Sequence, residues 1–441
     1  MGRFRPRAQA AGGRHKSRRG TGSGAVQVSS RGQDSPKLLE LAPTPSPPSS
    51  GFPSRLSRRL VCGFVIVCAW VWQTGRPAVG CPFCGVVGQS LAQRRDAADA
   101  VAVGEAMATA TTDAEGFLAQ PFRIDQWLGR RPAAAVSVGS VVPAEVPGPL
   151  AGTAMLFGTA ADGARAPERL RWSALAADET LLGHVVAAPA FTAPAADRLR
   201  WFATRLEHPD SAIAADAFTE FALADYSAVR AAADAVDAKR LRDWLREPGV
   251  DPRRRGLYAL LLGIHASRAA AGAEREANLS ALLGFIDAPA DDFRMGFDGG
   301  LAGFLVAEGE RGLEALRQRG LFGPRGRPLD QRHLLAALRF AAESLGESIP
   351  RQQVAAATAA LLASPAVAAD AAIDLARYRH WDAWQDVAAL WDSIGRDDPI
   401  VRRAVAGYLA ACPLPEASRR LDDLRRRDPQ LLKAALDAAG R

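Results

Sequence analysis

The spacing of apolar residues changes along the chain and divides it into regions of different structure. Residues 60–72 form an unbroken apolar run. Between about residues 99 and 189, apolar and polar positions alternate in short runs, which is the pattern of half-buried strands. From Pro194 onward, apolar positions recur three and four residues apart, as in amphipathic helices. The pattern predicts a mostly helical protein with a small β domain, residues 81–190, ahead of a helical domain, residues 194–441.

The β region contains strand-like runs separated by glycine and proline. The clearest runs are residues 100–104, 117–127, 134–142 and 153–158. Pro147-Gly148-Pro149 is one of the breaks between them. About five short strands in a segment of this length predict an OB-like β-barrel.

The helical region begins several of its helices with a readable signal. Asp251-Pro252, Asp398-Pro399 and Asp428-Pro429 each place Asp at the N-cap and Pro at the first helical position. We expect about 15 short helices, paired in units of about 35–40 residues, which is the period of HEAT-like solenoids. Residues 398–405 resemble the second half of a HEAT repeat.

The apolar run of residues 60–72 has the features of an export signal. Arg55, Arg58 and Arg59 precede it, and Ala78-Val79-Gly80 follows it with the small residues that a signal peptidase accepts. Its 13 residues are fewer than the roughly 20 needed to span a bilayer. We therefore predict a signal peptide over residues 55–80 and an extracytoplasmic mature protein. An uncleaved segment that anchors the chain in the membrane is the alternative.

Residues 1–54 are rich in Gly, Ser, Pro and Arg and have no hydrophobic periodicity. This composition predicts a disordered basic leader, and we expect translation to start downstream of Met1. The leader changes how the net charge of +7 is interpreted. Residues 1–80 hold 13 of the 55 Lys and Arg residues, so the rest of the chain has 42 against 46 acidic residues. This acidic balance argues against a nucleic-acid partner.

Cys81 and Cys84 follow the predicted cleavage site directly, in the sequence Cys-Pro-Phe-Cys. In an oxidising compartment they are a candidate disulfide or redox pair, and Cys412 remains outside the pair. We expect a structural disulfide. A thioredoxin-type redox centre, a zinc site and a lipidated Cys81 remain alternatives.

Part of the β region resembles the netrin and metalloproteinase-inhibitor (NTR-like) family of OB domains. Cys81, residues 98–105, residues 127–129 and residues 152–158 carry the resemblance. In inhibitors of that family, the amino group of the first cysteine chelates the zinc of a protease. The resemblance implies this role for Cys81 if cleavage follows Gly80, although the chain lacks the disulfide partners of those inhibitors.

The chain beyond the signal also resembles a family of exported planctomycete proteins that carry a Cys-Pro-Phe-Cys motif. That family implies an OB-like domain followed by a helical half, and it implies no reaction. The matching segments are residues 81–84, 172–173, 216–221, 251–263, 381–384 and 411–417.

The remaining candidate residues are better explained by structural roles than by functional ones. His184, His208, His265, His333 and His380 are far apart in sequence. Trp381, Trp384 and Trp391 fall within an arc of about 80° if they share one helix, which predicts core packing. Gly296, Gly299, Gly300 and Gly303 predict close helix–helix contact rather than a phosphate cradle.

The motifs of common hydrolases, kinases and dinucleotide-binding proteins do not occur in the sequence. We therefore assign no catalytic, cofactor-binding or metal residue and expect no cofactor. The expected function is that of an exported, non-enzymatic scaffold that binds a protein partner through its helical half. A redox or metal-handling protein that uses Cys81 and Cys84 is the first alternative, and an NTR-like protease inhibitor is the second.

Overall fold

The computed structural model describes residues 88–112, 116–129, 136–164, 170–289, 294–324 and 326–440, with backbone only at 161–164. These residues belong to one compact unit, Gln73–Arg441. The predicted leader and signal segment lie outside them, and so do Cys81 and Cys84. In the described part of the chain, no helix is long and apolar enough to span a bilayer.

The described strands form one sheet that closes on itself. β1 pairs with both β3 and β5, so the order β1-β5-β6-β4-β3 returns to β1, and β2 extends the edge of β3. All pairs are antiparallel except β4 with β6. The small barrel-like β region expected from the sequence is therefore present. The strands are β1 (Ala100–Ala106), β2 (Thr111–Thr112), β3 (Leu118–Trp127), β4 (Val141–Glu145), β5 (Thr153–Ala164) and β6 (Leu170–Ala176).

Several details of the β region differ from the sequence prediction. Residues 179–187, inside the segment predicted to form strands, are a helix capped by Asp178. Residues 136–140, predicted as strand, form a turn in which Gly139 has a φ of 90°, so β4 begins only at Val141. The sequence prediction also missed β6. Its alternation is visible in hindsight, because Trp172 and Ala174 are buried while Arg171 is exposed.

The barrel uses both faces of its strands. Ala102 on β1 and Leu156 on β5 belong to the core inside the barrel. Val101 and Phe157, one position away, point outward into a second core that includes Leu181 of the helical part. Because successive side chains alternate between the two faces of a strand, two strands can serve both cores. The barrel is therefore packed directly against helices.

The described residues contain 17 α-helices, and 15 of them follow Pro194, in agreement with the number expected from the sequence. Most are short and several are joined by turns of a few residues. The helices are α1 (Leu91–Ala97), α2 (Glu179–Ala187), α3 (Ala195–Ala203), α4 (Ser211–Leu223), α5 (Tyr226–Ala232), α6 (Ala238–Arg246), α7 (Pro252–Arg268), α8 (Ala273–Ile286), α9 (Phe297–Glu308), α10 (Glu310–Gln318), α11 (Pro328–Ser344), α12 (Arg351–Ala359), α13 (Ala368–Tyr378), α14 (Trp384–Ala389), α15 (Pro399–Ala411), α16 (Pro415–Arg427) and α17 (Pro429–Ala438).

Two of the three predicted Asp caps are confirmed. The Asp251 carboxylate accepts a hydrogen bond from the Arg253 amide at 2.9 Å, and Asp398 accepts one from the Ile400 amide at 2.7 Å. Asp428 precedes α17 but makes no side-chain cap. Its carboxylate instead accepts hydrogen bonds from the Trp391 indole at 3.1 Å and from Arg427. A buried tryptophan donor has therefore replaced the backbone amide as the partner of Asp428.

The helices pack in chain order. Many contacts join a helix to its neighbour, and others join helices two places apart, such as α3 with α5, α7 with α9, α9 with α11, α13 with α15 and α15 with α17. One continuous core runs through these helices, from Leu199 on α3 to Leu432 on α17. The helical part therefore consists mainly of successive local contacts.

Candidate functional site

The residues singled out in the sequence do not assemble into a catalytic centre in the described part of the chain. Cys81 and Cys84 lie outside it, and Cys412 is buried and forms no disulfide there. None of the described His, Cys, Asp and Glu residues form a group of three suited to a metal ion. His184 lies beside Asp216, and His333 lies beside Asp298. The two pairs involve different helices, α2 with α4 and α9 with α11.

The three tryptophans are not on one helix, so the predicted arc is wrong. Trp381 lies in a 3₁₀ turn, Trp384 begins α14, and Trp391 lies beyond the end of α14. A break into 3₁₀ and turn structure changes the angle per residue, which the arc calculation had held constant. The core-packing interpretation is nevertheless confirmed, because Trp391 is buried and Trp381 packs against Tyr408.

A buried polar network lies where α1 meets α2, α3 and α4. Asp216 and Glu220 are four residues apart on α4, so their carboxylates share one face of that helix. Ser90, the N-cap residue of α1, donates its hydroxyl hydrogen to Glu220. The next backbone amide, that of Leu91, donates to Asp216 at 2.7 Å. Both carboxylates of α4 therefore hold the start of α1.

Each buried carboxylate of this network also has a second partner. The Arg198 Nε donates to Glu220 Oε2 at 3.1 Å, and its Nη1 donates to the carbonyl oxygens of Phe191 and Ala193. His184 Nε2 lies 2.8 Å from Asp216 Oδ2. A buried charge is costly unless it is paired and hydrogen-bonded, so these contacts are what permits two carboxylates at this depth.

Ser90, His184 and Asp216 are the residue types of a hydrolase triad, but their arrangement is different. The Ser90 hydroxyl is hydrogen-bonded to Glu220 and not to His184, and in the part of the chain that the structure describes the buried His184 Nδ1 has no hydrogen-bond partner. A triad needs the nucleophile bonded to the histidine and accessible to substrate. Ser90 is 1% exposed and His184 is 6% exposed. The described geometry therefore makes this network a structural joint.

The same joint extends to the barrel through α1. Arg95 donates to the carbonyl oxygens of Val185 and Ala188, at the end of α2. Arg94 lies over the Phe157 ring of β5 and donates to the Ser173 hydroxyl of β6, and its burial lowers the pKa of its guanidinium. Helix α1 therefore connects the barrel with the first helices of the helical part.

A cleft of about 590 Å³ opens in the helical part, where the end of α6, the start of α7, α8 and the start of α9 meet. Its volume falls in the range of small-molecule sites. Apolar side chains make up much of its wall, and three arginines supply its charge. The lining residues are Leu245, Arg246, Pro252, Arg255, Ser280, Ala281, Gly284, Phe285, Ala288, Pro289, Arg294, Met295 and Phe297.

The three arginines of the cleft have different surroundings. Arg294 is held by Asp330 at 3.0 Å, donates to the Ile286 carbonyl and stacks over the Phe297 ring. Arg255 donates through Nη2 to the Glu247 carbonyl at 3.0 Å, while its buried Nε has no hydrogen-bond partner among the described residues. Arg246 is exposed and takes part in none of the ion pairs found in the described residues. Two of the three cations therefore have donor capacity left.

Glycine contacts hold two walls of this cleft at a fixed distance. A Cβ on Gly299 of α9 would lie 2.4 Å from the Gly256 carbonyl oxygen of α7, and one on Gly303 would lie 2.2 Å from that of Ala259. The predicted close helix–helix contact of these glycines is therefore confirmed. Arg255 precedes Gly256, and Met295 precedes Gly296, so both side chains leave the backbone beside a point of contact between the helices.

The sequence did not predict the cleft. Arg246, Arg255 and Arg294 are spread over 49 positions of an arginine-rich chain, and only the packing of α6 to α9 brings them together. The sequence also did not predict the buried polar network around Asp216 and Glu220. One signal was present, since the segment 216–221 places two acidic residues on the apolar face of a predicted helix.

No protein-family model, no curated protein and no solved structure matches this chain.

Proposed function

We propose that the chain is an exported, non-enzymatic interaction scaffold, in which an OB-like barrel is followed by a HEAT-like helical array that binds a protein partner. The observation that carries the proposal is the packing of the helices, each against neighbours one and two places along the chain. In repeat proteins of this kind, successive helix pairs add up to an extended surface used for binding. The cleft lined by Arg246 and Arg255 is one concave feature of the helical part where a partner could bind.

The OB-like assignment of the barrel is part of the same proposal. Without the two-residue β2, the closed order β1-β3-β4-β6-β5 has a single parallel pair, β4 with β6. A partly open five-stranded Greek-key barrel with this connectivity is the form of an OB fold. The NTR-like resemblance is compatible with it. The buried joint around α1 supports a scaffold further, because it fixes the barrel to the first helices of the array.

Export is proposed from the apolar run of residues 60–72 and the small residues that follow it. The redox and inhibitor alternatives both depend on Cys81, which lies outside the described residues, so no structural observation favours either.

Site-specific photo-cross-linking of the full chain in its own host tests the proposal. A benzoylphenylalanine replaces one exposed apolar residue of the helical part at a time, namely Met295, Ile400 or Leu431, and Val138 of the barrel region serves as the comparison. We expect a discrete higher-mass product from at least one helical position in the extracytoplasmic fraction, and the same product after Cys81→Ser with Cys84→Ser. Products from Val138 alone, or none at any position, contradict the proposal.

A further inference from the structure

We propose that the cleft between α6, α7, α8 and α9 binds an organic carboxylate that carries an apolar group, as found at the end of a polypeptide with a large apolar last residue. This inference rests on the proposed function, because it assigns the chemistry of the partner group that the scaffold recognises. Its basis is the combination of charge, unsatisfied donors and apolar walls at one concave site.

The positive charge of the cleft indicates that its ligand is negatively charged. Three arginines line the cleft, and no aspartate or glutamate is among its described lining residues. The Arg294 guanidinium is already neutralised by Asp330. Arg246 and Arg255 form no ion pair among the described residues, although Arg246 lies near Asp243, whose pKa is lowered by the Lys239 hydrogen bond and further by the charge of Arg246. The lining of the cleft itself supplies no carboxylate to balance Arg246 and Arg255, so positive charge remains there. An anion is the ligand that this arrangement favours.

The hydrogen bonding of Arg255 indicates that the ligand is a hydrogen-bond acceptor. Among the described residues no group accepts the hydrogen of the buried Arg255 Nε, so the donors of this cleft-lining guanidinium are not all satisfied, which costs free energy. A guanidinium presents its donors in a planar fork that matches the two oxygens of a carboxylate. Arg255 already uses Nη2 on the Glu247 carbonyl, which holds its guanidinium in place.

The walls of the cleft determine the rest of the ligand. Leu245, Phe285 and Phe297 offer apolar and aromatic surface, and Met295 is 44% exposed at the site. Methionine side chains adapt to different apolar partners. A bare inorganic anion would leave this surface in water, whereas an aromatic or aliphatic carboxylate covers it and gains from its burial.

Calorimetric titration of the full mature chain with matched probes tests the assignment. The first probe is N-acetyl-Ala-Ala-Leu-Phe with a free carboxylate, the second is the same peptide as its C-terminal amide, and the third is 3-phenylpropanoate. We expect saturable binding of the first probe and at least tenfold weaker binding of the amide, since a hydrogen bond to a charged group typically contributes that much. Phenylpropanoate as tight as the peptide identifies a free carboxylate as the ligand, and much weaker binding identifies a peptide end. Both results support the carboxylate class.

Substitutions identify the site. Arg255→Gln is expected to weaken binding of the carboxylate peptide at least tenfold, and Arg246→Gln less, because Arg246 is exposed and screened. Arg253→Gln is the matched control, since it removes the same charge from the same turn of α7, where Arg253 is exposed and pairs with Asp251. It should leave binding unchanged. If Arg255→Gln does not fold, Arg246→Gln and the amide comparison on the wild type carry the test.

The inference is overturned if the carboxylate and amide peptides bind equally, if Arg253→Gln weakens binding as much as Arg255→Gln, or if no probe saturates by about 1 mM. Any of these three results would overturn the carboxylate site, while the photo-cross-linking experiment could still detect a partner bound elsewhere on the chain. A scaffold that binds its partner elsewhere is thereby distinguished from a chain that binds no partner.

Discussion

Gly263 on α7 and Gly303 on α9 meet backbone to backbone. A Cβ added to Gly263 would lie 2.1 Å from the Gly303 carbonyl oxygen, and the other nearest atoms also belong to the Gly303 backbone. Further toward the cleft, Gly256 and Gly296 repeat this relationship. Separating these helices would open a gap between closely packed backbones, and bringing them closer would cause a clash, so the contact fixes the distance between two walls of the cleft.

The first prediction follows from this contact. Gly263→Ala places a methyl group inside the backbone of α9 and should lower the free energy of unfolding by about 1–3 kcal/mol or more, despite the better helix propensity of alanine. Gly284→Ala near the end of α8 is the control, because among the described residues no atom outside its own stretch of helix lies within 4 Å of the added Cβ. It should be neutral or stabilising by up to about 1 kcal/mol. Chemical denaturation measures both, and equal effects would contradict the close contact.

The second prediction concerns the buried joint. Arg198→Met leaves the fully buried Glu220 without its cationic partner and should cost about 3–5 kcal/mol. Arg198→Met with Glu220→Met removes both charges and should cost less than the single substitution, because no uncompensated carboxylate remains. A double-mutant cycle by urea denaturation measures the coupling. A double variant less stable than Arg198→Met would show that the ion pair itself is not the source of the cost.

The third prediction is a pH dependence at the N-cap of α5. The Asp225 carboxylate accepts hydrogen bonds from the Ser227 hydroxyl at 2.7 Å and the Ala228 amide at 2.8 Å, and these lower its pKa from the ordinary value. A carboxyl with a lowered folded pKa stabilises the protein above its unfolded pKa and loses that contribution as pH falls. Asp225→Ala should therefore cost about 1 kcal/mol at pH 7, and the cost should shrink below about pH 4.

Asp225→Asn is the control for this prediction, because asparagine also caps helices and does not titrate. Its stability relative to Asp225→Ala should not vary with pH. Thermal melts of the three proteins across this pH range give the comparison. A cost of Asp225→Ala that stays constant down to pH 3 would exclude a contribution from the ionised cap.

The fourth prediction concerns the cysteines. Cys412 is 8% exposed, so it should react with Ellman's reagent only after unfolding. If the chain is cleaved after Gly80 and Cys81 and Cys84 form a structural disulfide, the unfolded protein should release one thiol per chain. Their double substitution to serine should then lower the melting temperature by a few degrees, because so short a loop removes little entropy compared with the ~3 kcal/mol of a 15-residue loop. A count of three thiols per unfolded chain would exclude a disulfide between Cys81 and Cys84.

Local signals predicted much of the fold. The change from alternating to helical spacing identified the small β region and the helices after Pro194, and the Asp-Pro pairs located the starts of α7 and α15. The mistakes arose where tertiary partners decided the outcome. Asp428 binds Trp391 instead of its own helix, and no spacing rule anticipates such a contact. The cleft could not be predicted from the sequence either, because its arginines come from separate segments that only the packing of the helices brings together.

We predict that the partner is bound at the cleft and not through the cysteine pair. Benzoylphenylalanine at Met295 in the native host measures this directly when combined with substitutions elsewhere. We expect the cross-linked product to persist with Arg253→Gln and with Cys81→Ser plus Cys84→Ser, and to be lost with Arg246→Gln plus Arg255→Gln. A product that survives loss of both cleft arginines but disappears with the cysteines would contradict the account and assign the function to Cys81 and Cys84.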